Sequence, residues 1–304
     1  MKTFYVIILF FFLIFSSGCS KKSTDSRPMV LSSTSIIADL VTVIAGEHVK
    51  NVSLMGPGID PHTYKASQGD IHLLEKSDLI LYNGLHLEAK LADILKQLSR
   101  KKTVLAVTKD IPINQLIMDS SYKNMPDPHV WLDISLWRNA LITVSKALCQ
   151  LLPEKKELFL KNTHQYLAKL DQLHAEIHMR FANIVPEKRI LITAHDAFAY
   201  FGRAYGLKVM GLQGISTASE AGTKDIQALS KLIIEKKVTC IFVESSVPVR
   251  HIKALQQAVK VKGHQVNIGQ ALYTDALGDS LSGANSYLKM IAKNVTEIST
   301  QLSK

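Results

Sequence analysis

The sequence predicts an α/β fold: two pseudo-symmetric parallel-sheet lobes joined by one long rigid helix. Three observations lead there. Short apolar runs alternate with amphipathic segments from about residue 30, and the alternation resumes after residue 185. Such alternation marks βαβ units, whose parallel strands are buried under helices. Between the two stretches lies "PEKKELFLKNTHQYLAKLDQLHAEIHMRFANIV", with no Gly, no interior Pro and apolar residues three and four apart. At about 1.5 Å per residue, roughly 30 residues make a helix near 45 Å long, enough to span a pair of lobes. The 304 residues leave room for both lobes, since a domain takes about 150.

Each element has its own signal. "MVLSSTSIIADLVTVIAG" is a strand and then a helix ended by Gly46. "VKNVSLMG" is a short strand closed by "GPGIDPH". "SQGDIHLLEKS" is a helix started by Gln68, Gly69 and Asp70, and "DLILYNG" a buried strand ending at Gly84. "LEAKLADILKQL" is amphipathic helix and "KTVLAVT" a strand, followed by a loop rich in Pro and Asp. "SLWRNALITVSKALCQLL" is a helix broken before Pro153, which itself suits the first turn of the long helix. The second series is strand "RILITAH", helix "AFAYFGRAYG", strand "KVMGLQGI", helix "TKDIQALSKLIIEKK" and strand "VTCIFVES". Helix "PVRHIKALQQAVKVKG", strand "QVNIG" and helix "SYLKMIAKNVTEISTQL" complete it. The expected divisions are 1–19, 20–29, 30–152, 153–185 and 186–304: signal, linker, lobe, connecting helix, lobe.

The first residues stand apart from the fold. Lys2 precedes the apolar run Phe4–Phe15, which is too short to span a membrane, and "SSGC" ends at Cys19. This is an export signal, so the mature chain works outside the cytoplasm. Gly18 and Cys19 also resemble a lipoprotein box, although Ser16 stands where such boxes usually have Leu; acylation of Cys19 would anchor the chain to a membrane surface. Ordinary cleavage near Gly18 is the alternative. Cys149 and Cys240 lie in apolar segments and are expected in the core; a disulfide between them is left open. The net charge of +10 comes from scattered Lys and Arg without a nucleic-acid-binding motif, so a nucleic-acid partner is not expected.

The triplet Asp-Pro-His occurs twice, at Asp60-Pro61-His62 and Asp127-Pro128-His129. Pro fixes its own φ and pushes the preceding Asp to an extended conformation, which makes a stiff loop. The Asp is then placed to orient the imidazole or to cap the loop. Ligands of open α/β sheets bind beyond the carboxyl ends of the strands. His62 and His129 follow strands of the first lobe; His195 closes "RILITAH", and Asp275 lies in the loop after "QVNIG". One cleft between the lobes is expected to gather all four. Imidazole and carboxylate together suit zinc, manganese or iron.

Five segments, "GPGIDPHTYKASQGDIHLLEKSDLILYNGLHLE", "PDPHVWLD", "TAHDAFAYFGRAYGL", "GISTASEAGTKDI" and "YTDALGD", carry a family likeness. Together they resemble the manganese/zinc-type (cluster A-I) substrate-binding lipoproteins of ABC transporters. The resemblance implies metal ligands at His62, His129, His195 and Asp275, one transported Mn, Zn or Fe ion, and no catalysis. It further implies an ABC permease with its cytoplasmic ATPase as partners, a monomer, and a periplasmic or cell-surface location. Zinc-specific relatives often carry a His-rich loop before the second ligand; "INQLIMDSSYKNMPDP" has no histidine. The other readings are a secreted metal-dependent hydrolase, with His195 or Glu220 as base, and a surface adhesin. No GxSxG or HExxH supports the first. Glu220 is expected to be structural or to stand behind the ligands. His174 and His178, four apart on the long helix, are expected on a solvated face. His86 is expected near the cleft rather than in it.

Overall fold

The computed structural model describes residues 25–119 and 125–304. The expected export signal and Cys19 lie outside these residues. Strand β1 (Met29–Thr34) feeds helix α1 (Ser35–Ala45), whose first turn is capped by the Thr34 hydroxyl accepting from Ile37 N. Strand β2 (Lys50–Met55) follows, then α2 (Gln68–Lys76), β3 (Leu79–Tyr82), α3 (Ala92–Leu98) and β4 (Thr103–Ala106). Helix α2 begins with a capping box in which Ser67 and Asp70 satisfy each other's backbone N–H groups. The four strands form one parallel sheet in the order β2-β1-β3-β4.

Two elements were not legible beforehand: β5 (Met118–Asp119) and β6 (Met125–Pro126), a two-residue antiparallel pair in the loop before His129. Helix α4 (Ile134–Leu151) starts at Asp133, whose carboxylate accepts from Ser135 N at 2.9 Å. The connecting helix α5 (Lys156–Ala182) has 27 residues, about 40 Å at 1.5 Å each. It is slightly shorter than expected because Pro153–Lys155 forms a tighter 3-10 turn first.

The second lobe contains β7 (Ile190–His195), α6 (Ala199–Tyr205), β8 (Lys208–Gln213), α7 (Thr223–Glu235) and β9 (Cys240–Glu244). Helix α8 (Arg250–Val261), strand β10 (Asn267–Leu272) and helix α9 (Tyr287–Leu302) close the chain. Strands β7–β8 and β9–β10 are parallel pairs, with β7 beside β9. The spatial order parallels that of the first lobe, although here the ladder joins the strands only as two pairs.

Apolar packing is continuous across the lobes. One core joins Ile37, Leu40 and Ile44 of α1, Trp137 and Leu141 of α4, and Phe159, Leu170 and Phe181 of α5 to Phe201, Tyr287 and Ile298 of the second lobe. Smaller cores fill the outer face of each sheet, around Leu74 and Leu95 in one and Ile233 and Leu255 in the other. Polar contacts cross as well. Asp39 of α1 accepts from Tyr287 N at 3.0 Å and from the Tyr166 hydroxyl at 3.3 Å. The Trp131 indole donates to Thr274 O at 2.7 Å, and the Tyr287 hydroxyl to Trp131 O at 2.7 Å. Cys149 is half-buried and Cys240 buried, and both are free. Cys149 therefore departs from the core placement expected of it: it sits in the last turn of α4 against Lys156.

Candidate metal centre

Every strand that carries a candidate ligand ends at the same rim. His62 follows β2, His129 follows β4 through the β5–β6 pair, His195 is the last residue of β7, and Asp275 follows β10. Parallel strands in two facing lobes thus bring four loops to one point. A ligand atom from each of the four residues lies within 4.8 Å of the others. All four side chains are buried: His62 is 5% exposed, Asp275 1%, and His129 and His195 not at all.

The spacing is close. His129 Nε2 is 3.2 Å from His62 Nε2 and 3.3 Å from His195 Nε2. Asp275 Oδ1 lies 3.6 Å from His129 Nε2, and Oδ2 lies 3.6 Å from His195 Nε2. The edge of a tetrahedron with metal–nitrogen bonds of about 2.0–2.1 Å is about 3.3–3.4 Å. The His62–His129 and His129–His195 separations match that edge, Asp275 stands slightly farther from His129 and His195, and the whole set lies within 4.8 Å. Both Asp275 oxygens face the imidazoles, and Oδ1 is buried without a hydrogen-bond partner. One oxygen would complete a four-coordinate shell; both would make five, which suits manganese or iron.

Behind the imidazoles stand carboxylates. Asp127 Oδ1 is 2.7 Å from His129 Nδ1 and accepts from His129 N at 2.9 Å. Asp60 stands in the equivalent triplet but acts differently. It accepts from His62 N at 2.9 Å, from the Thr63 hydroxyl at 3.0 Å and from the Thr217 hydroxyl of the other lobe at 2.5 Å. One triplet orients its ring; the other fastens its loop across the cleft. His195 has a partner that sequence reasoning missed, Glu244, the last residue of β9. Its Oε1 accepts from His195 N at 2.9 Å. Its Oε2 lies 2.5 Å from Nδ1, a contact of charge more than of ideal hydrogen-bond angle. Thr274 donates to Glu244 Oε2 at 2.9 Å, and Ser246 to Asp275 Oδ2 at 2.8 Å. The usable signal was a carboxylate closing the buried run "CIFVE".

The electrostatics separate the histidines. Burial pulls His62 down to about 3, with Asp275 opposing, so its ring is neutral at physiological pH. Burial also disfavours a charged His195, but Glu244 and Asp275 outweigh it and hold that ring well above the ordinary histidine value. Burial alone would raise Asp275; His195 overcomes it and keeps the carboxyl below the usual carboxylate range. Without an ion, the site holds a proton on His195 beside an ionised Asp275. A divalent cation held by these side chains would have to displace that proton.

Other candidates lie apart. Glu220 is exposed and pairs with Arg250, 3.7 Å from His251, so it does not stand behind the ligands. His174 is half-buried against Tyr205, its Nδ1 2.9 Å from the hydroxyl, rather than fully solvated. A groove of about 730 Å³ beside β4, walled by Leu95, Val104 and Ile113, gathers no metal-ligand set among the described residues.

Comparison with known proteins agrees with this architecture. Residues 30–301 match the ZnuA family, described as zinc-uptake complex component A, periplasmic. The chain is 42% identical over 287 residues to the zinc-binding protein TroA of Treponema pallidum, covering 94% of this chain and 92% of that protein. It is 43% identical over 290 residues to the manganese-binding lipoprotein MntA of Bacillus subtilis, covering 94% of each. Among solved structures, the periplasmic zinc-binding TroA superposes with a TM-score of 0.89 at 42% identity, over 91% of this chain and all of that one. Fe(III)-bound YtgA of Chlamydia trachomatis superposes with a TM-score of 0.82 at 27% identity, over 91% of this chain and 98% of that one. With its fold, its lobe-joining helix and nearly its whole length matched, the chain belongs to the ZnuA family of metal-binding, periplasmic uptake components.

Proposed function

We infer that the protein captures one divalent transition-metal ion, Zn, Mn or Fe, outside the cytoplasm and delivers it to an ABC permease powered by a cytoplasmic ATPase. We assign the ion to His62, His129, His195 and Asp275. The observation that carries this reading is the convergence of four buried ligand atoms, two from each lobe, within 4.8 Å. Asp127 and Glu244 orient two of the three rings, as outer carboxylates do around bound metals. Four protein ligands leave no open position for substrate and water, so the site is built to hold an ion, not to use it in hydrolysis. Neither a hydrolase nor an adhesin finds support in the relatives.

Residues 1–19 serve as the export signal, and acylation of Cys19 tethers the mature chain through the linker at 20–29. Residues 30–152 and 186–304 are the two lobes and 153–185 the connecting helix of a monomer. Metal content tests the central reading. Full-length protein in mild detergent is stripped and offered equal Zn, Mn and Fe(II) anaerobically, beside a His62→Ala, His129→Ala variant. One ion per chain, lost in the variant, is expected. No bound ion, or binding unchanged in the variant, would overturn the assignment. Mass spectrometry of the mature N-terminus tests Cys19: a diacylglycerol mass on that residue is expected, and an unmodified Cys19 would remove the anchor.

A further inference from the structure

The four ligands are not equally buried: His62 retains 5% exposure, while His129 and His195 have none. His62 also lines a cavity of about 260 Å³, whose wall includes His86, Ala89 and Ser216. The cavity thus touches both His62, in the cluster, and His86, outside it.

The segment that carries His86 is held in an unfavourable shape. Gly84, Leu85 and His86 have φ of 86°, 52° and 64°, three successive residues in the left-handed region. Only Gly occupies that region freely; Leu and His meet steric resistance there. A Cβ on Gly84 would sit 3.0 Å from Ala106 Cβ, so the tight approach needs glycine. Surrounding bonds enforce the shape. Buried Glu88 accepts from Asn83 N at 2.7 Å, Gly84 N at 3.2 Å and the Ser33 hydroxyl at 2.6 Å. Thr108 donates to Asn83 O at 2.6 Å. Asn83 Nδ2 donates to Pro128 O at 3.1 Å, which ties this loop directly to the triplet of His129. Strained backbone kept by so many contacts suggests a job for the residue it presents. Here it presents an exposed imidazole at the rim of the cavity above His62.

Resting on the metal-capture reading above, we propose that this cavity is the passage by which the ion enters and leaves, and that His86 is a transient ligand at its mouth. The chemistry is stepwise exchange of water for imidazole. A hydrated divalent cation cannot enter a fully buried shell without losing its waters. An imidazole at the rim replaces the first of them, and His62 the next. On release the same steps run backwards. A group bound only in passing lowers the barrier in both directions and leaves the end states alone. It changes rates and not affinity.

Stopped-flow zinc binding tests this, with full-length protein in mild detergent. The signal is the fluorescence of Trp131, whose ring centroid is 5.2 Å from that of His129. A chelator jump gives the release rate. His86→Asn keeps a residue that tolerates the left-handed backbone but removes the imidazole, and Ala89→Phe fills the cavity from its wall. Both variants are expected to slow binding and release about tenfold, with Kd within about twofold of the parent. Rates within about twofold of the parent in both variants would overturn the proposal. So would a tenfold loss of affinity in His86→Asn, which would place His86 in the resident shell. Parent protein that fails to bind zinc, or a His62→Ala, His129→Ala variant that binds it normally, would instead bring down the metal-capture reading.

Discussion

Replacing Glu244 with Gln preserves shape and removes one charge behind His195. Two donors meet the carboxylate, His195 N at 2.9 Å on Oε1 and Thr274 Oγ1 at 2.9 Å on Oε2, and the His195 ring stands 2.5 Å from Oε2 as a charge contact. An amide has one acceptor oxygen, so with that oxygen on His195 N its NH₂ faces the Thr274 hydroxyl, which loses its acceptor and must turn. An unmatched buried donor costs about 1–3 kcal/mol, and that is the expected loss of metal-free stability. Loss of an outer carboxylate also weakens metal binding, typically about 10–100-fold, or roughly 1.4–2.7 kcal/mol. The pH dependence sharpens the test. Glu244 and Asp275 keep His195 protonated above the ordinary histidine value, so an ion must displace that proton. Parent affinity therefore rises with pH by up to about tenfold per unit until His195 titrates. With Gln, His195 binds its proton less tightly and competes less with the ion. The affinity deficit is accordingly widest in alkali and narrows towards neutral pH. Chelator-competition titrations from pH 6 to 9 measure both slopes. Parallel lines for parent and variant would refute the coupling of Glu244 to the His195 proton.

Three further expectations follow from the same geometry. Asp127→Asn removes the carboxylate on His129 Nδ1, whereas Asp60→Asn touches only backbone N–H and hydroxyl partners of its loop; zinc competition should show the larger affinity loss for Asp127→Asn, about tenfold or more. The folded His195 value lies above the unfolded one, so its contribution to metal-free stability is complete below about pH 6.5 and is lost as pH rises through the folded value. The gap in Tm between metal-bound and metal-free protein should therefore widen from pH 6.5 to 9 in thermal scans, and a constant gap would contradict the proton-for-metal exchange. A Cβ on Gly211 of β8 would lie 2.3 Å from Asp196 N and 2.5 Å from His195 C, so Gly211→Ala must push β8 from β7 beside a ligand; urea unfolding should show a loss of at least about 2 kcal/mol with weakened metal binding.

The fold was legible because its signals are local. A period of two or a short apolar run gives a strand, a period near 3.6 gives a helix, and the uninterrupted stretch from Lys156 to Ala182 gives the connector. The ligand candidates were legible for a related reason. His62 and His129 sit in proline-stiffened loops, and His195 ends a strand, so chain position alone puts them on one rim. What surrounds them was hidden because it depends on distances between segments far apart in sequence. Glu244 meets His195 across 49 positions and Thr217 meets Asp60 across 157. Identical Asp-Pro-His triplets also carry no mark of which Asp will hold a ring and which will fasten a loop. The difference arises from what faces each one: Thr217 reaches Asp60, while Asp127 is left to His129 Nδ1. Glu220 was left between a structural role and a place behind the ligands for the opposite reason. Its family-like motif drew attention, yet its carboxylate points to Arg250 at the surface.

A site closed this tightly has to open, and the structure limits how. Swinging the lobes apart would pull Trp131 from Thr274 O, the Tyr287 hydroxyl from Trp131 O and the Tyr200 hydroxyl from Asp127 O. It would also split an apolar core that includes Trp137, Phe159, Phe181 and Tyr287, each almost fully buried. Wetting even one such side chain costs about 1.5–3 kcal/mol, and a wide hinge would wet several. The loops above the site are attached more lightly. The His62 loop reaches the opposite lobe through the Thr217–Asp60 hydrogen bond, and about 1.5–3 kcal/mol is the usual net worth of a bond to a carboxylate. His62 is also the least covered of the four candidate ligands. Breaking one cross-cleft bond and withdrawing one imidazole is therefore far cheaper than parting the lobes. The rigid helix and the shared core hold His129, His195 and Asp275 in place, and on the proposed assignment the lightly tied first triplet is the part of the shell free to release an ion.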